Sequence, residues 1–397
     1  MLLIRKALAW VTSGFGAALL GACGGGTSAS DTNVPAAAPL SAQAALGEKI
    51  FADVSLSASG RQACAGCHSP DNAHSPANDL SVQLGGPLLD QQGTRQAPSI
   101  NYLSFNIAFF FDTEGTPTGG FFWDGRAASL GAQAGEPFVN PFEMANTSVA
   151  DVIDKLSRST YAAEFRGVFG ADIFSRPADA MTGVKLALAQ YQREDSDFHP
   201  FSSKYDEFLR GKVGLSDREL RGLALFNNPT RGNCIGCHPS GRGADGSFPL
   251  FTDFTYDNLG VPRNPLIARN ADPTHFDLGL CGRPELAARA DLCGAFKVPS
   301  LRNVALRRVF FHNGRFSSLK DAITFYVQRD THPEKWYPLN ADGSVNKFDD
   351  LPAKYRANVN TVEVPYNRHP GEAPALSDSE VDDVIAFLKT LSDGYTP

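Results

Sequence analysis

Cys64-Ala65-Gly66-Cys67-His68 and Cys234-Ile235-Gly236-Cys237-His238 repeat one Cys-x-x-Cys-His spacing, 170 residues apart in a chain of 397. That spacing is the one used for covalent c-type haem attachment. Two thiols form thioethers to the haem vinyls, and the adjacent histidine binds iron from one face. A single copy would also suit a zinc site. A zinc reading of both copies needs further Cys or His ligands close by, and no second Cys-x-x-Cys stands at zinc-ribbon spacing from either. The repeat therefore predicts two haem c groups. Cys64, Cys67, Cys234 and Cys237 hold them, and His68 and His238 are axial ligands.

The flanking sequence repeats as well. Leu46-Gly47-Glu48-Lys49-Ile50-Phe51 precedes the first motif, and Arg221-Gly222-Leu223-Ala224-Leu225-Phe226 precedes the second. The second helix has a capping-box start, Ser216 with Glu219, flanked by Leu215 and Leu220 as a hydrophobic staple. Ser377 with Glu380, and Leu376 with Val381, repeat the device near the C-terminus. There Val381, Val384, Ile385 and Leu388 share one helical face. The pattern predicts a mainly α fold of two c-type cytochrome domains, 41–205 and 206–397. Each carries one covalently bound haem and packs a last helix across its first. Gly- and Pro-rich stretches such as 85–98 and 239–265 are the long loops between helices.

The N-terminus reads as an export signal at 1–22, with Arg5 and Lys6 before an apolar run from Ala7 to Leu20. Leu20-Gly21-Ala22-Cys23 resembles a bacterial lipobox, which implies cleavage before Cys23 and lipidation of its thiol. An ordinary secretory signal with an incidental cysteine is the alternative. Residues 23–40 then form a flexible tether. The address is the periplasm, with the lipid anchor in the outer membrane, since Gly24 rather than Asp follows Cys23. Of seven cysteines, Cys281 and Cys293 remain after the haem and lipid assignments. They are expected to pair in an oxidising compartment, the alternative being two free buried thiols. Losing Arg5 and Lys6 with the leader takes the net charge from −7 to −9. An acidic surface argues against nucleic acid as a partner.

The second face of each iron decides the chemistry. A Met or His there gives a closed, electron-transferring haem, whereas an empty face admits peroxide. The chain has three methionines, Met1, Met144 and Met181. His74 is only six residues from His68, a span of at most about 20 Å, and is expected to be a loop histidine.

Phe122-Trp123-Asp124-Gly125-Arg126, Asn140-Pro141-Phe142-Glu143-Met144, and Pro299-Ser300-Leu301-Arg302-Asn303 running on to Phe311-His312-Asn313-Gly314 complete a family resemblance. With both haem motifs, they are similar to the bacterial di-haem cytochrome c peroxidases and the related MauG-type enzymes. The resemblance covers nearly all of the mature chain. It implies a peroxidatic haem on His68 and an electron-transfer haem on His238. Trp123 would be the electron relay between them. Glu143 would be the distal acid–base carboxylate, and Gln133 and Pro137 the pocket wall. His312 is not read as a ligand; the resemblance implies a structural or coupling role. The family also binds one calcium ion between its haems, and the matching positions are Gln96 and the carbonyls of Arg307 and Val309. An arginine could instead replace that ion electrostatically.

Two departures from the gated peroxidases matter. Their distal histidine falls about sixteen residues after the first haem histidine, where this chain has Leu84 followed by Gly85 and Gly86. The first haem is thus expected to be open at rest. Fourteen residues after His312, where those enzymes place an axial Met, stands Tyr326, and MauG-type enzymes place a tyrosine ligand there. A hard phenolate suits high-valent iron. The resemblance therefore implies H2O2-dependent oxidation through a bis-Fe(IV)-type state, with a redox protein partner as the source of electrons. The closer rival is a cytochrome c peroxidase fed by a small cytochrome c or cupredoxin. A non-catalytic di-haem carrier would need two six-coordinate irons.

Overall fold

The computed structural model describes residues 38–397. The leader at 1–22, Cys23 and most of the tether lie outside the described residues. The N-terminal half supplies α1 (Ala42–Ala52), α2 (Cys64–Cys67), α3 (Leu130–Gly135), α4 (Val149–Ser157), α5 (Ala162–Phe169) and α6 (Pro177–Glu194). The C-terminal half supplies α7 (Lys204–Leu209), α8 (Asp217–Asn227), α9 (Leu319–Gln328) and α10 (Asp378–Lys389). Strand is confined to three two-residue antiparallel pairs among the described residues, including Leu84–Gly85 against Gln91–Gln92. Long loops join the rest.

Residues 39–397 form one compact unit with two large hydrophobic cores. The buried members of one run from Leu46 to Phe198, and those of the other from Tyr205 to Leu391. Each core is organised by the same crossing. α1 lies against α6 in the first, and α8 against α10 in the second. The crossings are close because a glycine sits at each: a Cβ on Gly47 would fall on the Ala187 carbonyl, and one on Gly222 on the Asp383 carbonyl.

Ser216 with Glu219, and Ser377 with Glu380, form full capping boxes. Leu376 and Val381 are buried together in the C-terminal core. The Leu215–Leu220 staple does not form in the same way, because Leu220 is 42% exposed. α8 turns Gly222 and Phe226 inward, and Leu220 lies about 200° round the helix from Gly222.

An exposed helical glycine gains about 1 kcal/mol on replacement by alanine. Here the backbone contact decides the sign. Gly222→Ala should lower the unfolding free energy by about 1–3 kcal/mol through overpacking, read from denaturant melting of the holoprotein. A neutral or stabilising result would mean that α8 and α10 separate at little cost.

Buried polar contacts hold the C-terminal half together and tie it to the N-terminal one. Arg302 and Asp206 pair at 2.8 Å with both side chains almost fully buried. Tyr102 donates its hydroxyl to Asp393 at 2.8 Å. Cys281 and Cys293 are joined in a disulfide, inside a small separate cluster with Tyr256, Leu280 and Leu292. No helix among the described residues is long and apolar enough to cross a membrane.

Candidate active site

Two cavities open beside the two Cys-x-x-Cys-His motifs. The wall of the first includes Cys64, Cys67, His68, Leu84, Gln133, Pro137, Phe142, Glu143 and Met144. The wall of the second includes Cys234, Cys237, His238, Val309, His312, Tyr326 and Tyr366. Gln96, Trp123, Lys297 and Arg307 line both. Every residue to which the sequence assigns a haem, catalytic or calcium role thus stands on one of these walls.

Each haem histidine is aimed by its own loop. One turn of helix brings the His68 N–H to the Cys64 carbonyl at 2.9 Å, so both thiols and the imidazole share a wall. His68 Nδ1 meets the His74 carbonyl at 3.3 Å, and His238 Nδ1 meets the Phe251 carbonyl at 2.7 Å. A ring held at Nδ1 leaves Nε2 free for a metal. Burial pushes His68 down to about 4 and lowers His238 too. Both are therefore neutral at pH 7, the form that ligates. His74 is a loop residue, as expected, but a buried one. It is 2% exposed, stacks on Phe198 at 3.9 Å and bonds Asn101 at 2.7 Å.

Leu84, Gly85 and Gly86 belong to a hairpin that packs on the segment carrying Glu143. The Gly86 N–H donates to the Glu143 carbonyl at 2.8 Å. A Cβ on Gly85 would run into the Phe142 and Glu143 backbone. The Glu143 carboxyl is raised above its ordinary range, chiefly by burial. Arg126 opposes that rise, but its guanidinium is already committed to Asp124 at 3.1 Å and Glu136 at 2.9 Å. A carboxyl whose pKa is raised by an apolar wall is suited to moving a proton.

Trp123 is 8% exposed. Its indole N–H donates to the Gln96 carbonyl at 2.8 Å, and the Gln96 N–H donates to the His312 carbonyl at 2.7 Å. The Gln96 backbone thus links the indole to the main chain of His312, whose ring stacks on Phe296 at 3.5 Å and 9°. On the far side of the second cavity, Tyr326 projects from α9, 5.5 Å from Phe311 and 6.1 Å from Tyr366. Burial drives its phenol well above the ordinary range, so it ionises only if a cation such as ferric iron takes the place of its proton. Asp257, on the same wall, is raised to about 6 by burial.

Four thiols, two aimed imidazoles and a buried phenol in apolar surroundings are a donor set that fits two haem c groups. Lys297, Asp257 and Tyr366 are wall residues that the sequence does not single out for these sites. Asp257 and Lys297 lie on one two-residue antiparallel strand pair, and no local spacing encodes their closeness.

The family model for di-haem cytochrome c peroxidase, of the MauG type, matches residues 41–214. The chain is 35% identical over 362 residues to the methylamine utilization protein MauG of Paracoccus denitrificans, covering 89% of each. It is 31% identical over 283 residues to the cytochrome c551 peroxidase of Nitrosomonas europaea, covering 70% of this chain and 71% of that one. The crystal structure of the diheme peroxidase BthA from Burkholderia thailandensis superposes with a TM-score of 0.83 at 38% identity, covering 92% of this chain and 90% of that one. A part-buried carboxyl beside one haem motif, an indole shared with the other, and this likeness along most of the chain lead to one conclusion: the protein belongs to the di-haem cytochrome c peroxidase and MauG family of H2O2-dependent oxidoreductases.

Proposed function

We propose that this chain is a MauG-like peroxidase, open to H2O2 at the first cavity and oxidising a protein partner through the second. The observation that carries the reading is the pair of walls. Among the described residues the first has His68 as its one histidine, with the part-buried carboxyl of Glu143 and with Met144 packed into the first core, and the second has Tyr326 rather than a methionine. In this reading each hydrophobic core carries one haem, the domains meeting between 205 and 206. His68 and His238 would each hold one haem iron, and Tyr326 would supply a phenolate oxygen to the iron in the second cavity.

When bound, the haems supply the iron that reacts with peroxide and the second iron that shares its oxidising equivalents. Glu143 takes the proton from the inner peroxide oxygen and returns it to the outer one, which leaves as water. Gln133 and Pro137 shape the wall on which peroxide rests. Trp123, fixed by its bond to Gln96, is the relay between the cavities. The protein works in the periplasm, tethered through Cys23 and a lipid anchor.

Gln96 and the carbonyls of Arg307 and Val309 offer neutral oxygens of the kind calcium accepts when water completes the shell. The buried Arg307 guanidinium at the same seam makes a second cation costly there.

One equivalent of H2O2 added to the fully ferric protein, with no reductant, tests the proposal. The ferric EPR signals of both haems should be lost promptly, and a long-lived oxidised species should persist. If nothing happens until one haem is reduced first, the protein is instead a gated peroxidase drawing electrons from a small cytochrome or cupredoxin.

A further inference from the structure

Largely buried cations in this fold are normally paired. Arg95 holds Asp124 and Asp277 at 2.6 Å, Arg283 holds Glu285 at 2.6 Å, Arg302 holds Asp206 at 2.8 Å, and Arg329 holds Asp330 at 2.6 Å. Among the basic side chains on the cavity walls, Arg126 is paired as well. Lys297 and Arg307 are not: among the described residues neither meets a carboxylate. The Lys297 ammonium donates to Asn106 Oδ1 and to the Gly120 carbonyl, both neutral oxygens at 2.5 Å. Arg307 donates from Nη2 to the Ser300 carbonyl at 3.0 Å, and its Nε is buried with no partner. Burial alone pushes the lysine down to about 7 and the arginine down to about 10. A cation withdrawn from water without a counter-charge is costly, so the missing anion is expected to come with a ligand.

Both side chains line both cavities. Each haem c brings two propionate carboxylates, which neither thioether attachment nor axial ligation uses. Resting on the di-haem reading above, we propose that Lys297 and Arg307 form one carboxylate receptor at the seam, binding propionates from both haems. The guanidinium suits paired N–H contacts to a carboxylate, and the ammonium acts as a point charge. Because the two charges stand on both walls, they act on both irons together. They are positioning residues: they orient the haem edges that face Trp123 and set the two potentials jointly.

The test uses the holoprotein and four variants: Lys297→Met, Arg307→Met, and the charge-retaining Lys297→Arg and Arg307→Lys. Haem content is measured first. Both haems are then titrated spectroelectrochemically, and redox-difference infrared spectra are recorded over the carboxylate bands. Loss of one cation favours the oxidised iron. Each Met variant should raise the ferric-to-ferrous ratio at fixed potential by about tenfold, about 59 mV for one electron, at both haems. The charge-retaining variants should stay near wild type in potential. Where a Met variant fails to fold, Arg307→Lys still decides, because a point charge cannot copy the paired contacts and the carboxylate bands must move.

Unmoved potentials and bands in a protein loaded with two haems would overturn the receptor and leave the di-haem reading intact. A shift at only one haem would overturn the sharing. Wild-type potentials that follow added chloride or bicarbonate would mean that the seam holds a free anion, which also overturns the proposal. A wild-type chain that takes up no haem would overturn the functional reading itself.

Discussion

Replacing Glu143 with glutamine should slow the reaction with H2O2 by about 10²–10⁴-fold, the usual worth of a positioned proton-transfer group, while both haems stay bound. Glutamine keeps the size and polarity of the side chain but cannot accept the peroxide proton. The pH profile gives the sharper test. Peroxide activation needs Glu143 ionised, so the rate should rise with pH and level off above the carboxyl's pKa. Burial raises that pKa, so the rise should fall above the ordinary glutamate range of about 4.3. Arg126 is the larger of two influences that pull it down, the other being a hydrogen bond with Asn140. Arg126→Gln should therefore shift the rising limb to higher pH while leaving the plateau in place. Stopped-flow rates of ferric Soret loss from pH 4 to 9 read both effects. A Glu143→Gln variant with the wild-type rate and the wild-type limb would remove this carboxyl from the chemistry.

What was legible in the sequence follows from where the information is stored. Haem attachment is written in five adjacent residues. The capping boxes at Ser216 and Ser377 are local as well, and both form. The Leu215–Leu220 staple was less legible because burial of Leu220 depends on which face α8 turns to α10, and Gly222 decides that through a contact with Asp383, 161 residues away. The same holds at the site. Glu143 and Trp123 stand out through the motifs around them. Lys297 could not be found in this way: its ammonium is placed by Asn106 and Gly120, both from the other half of the chain. Arg307 stands out only for its carbonyl, and nothing local signals that its side chain reaches both cavities.

Tyr326→Met should move the protein toward the gated peroxidases. The phenol lies in the second cavity among Phe311, Phe325 and Tyr366, and its pKa is raised so far by burial that only iron can keep it as phenolate. A phenolate brings a full negative charge to the metal and favours its higher oxidation states. A thioether brings none and favours the ferrous state. The exchange should raise the potential of the second haem by on the order of 100 mV or more, within the ~0.8 V range that axial ligands command. The space is suitable, since methionine is flexible and close in reach to the tyrosine ring, and the apolar neighbours lose no hydrogen bond. Two consequences follow in one experiment. H2O2 added to the all-ferric variant should no longer give a long-lived oxidised species, because the second iron resists giving up an electron. After reduction by one electron, the variant should turn over peroxide with a small cytochrome as donor. Tyr326→Phe provides the control: with no sixth ligand, the second haem should become high-spin and bind cyanide or CO. If both variants keep the wild-type spectrum and the wild-type oxidised lifetime, Tyr326 is a core aromatic and the sixth ligand lies elsewhere on the second cavity's wall.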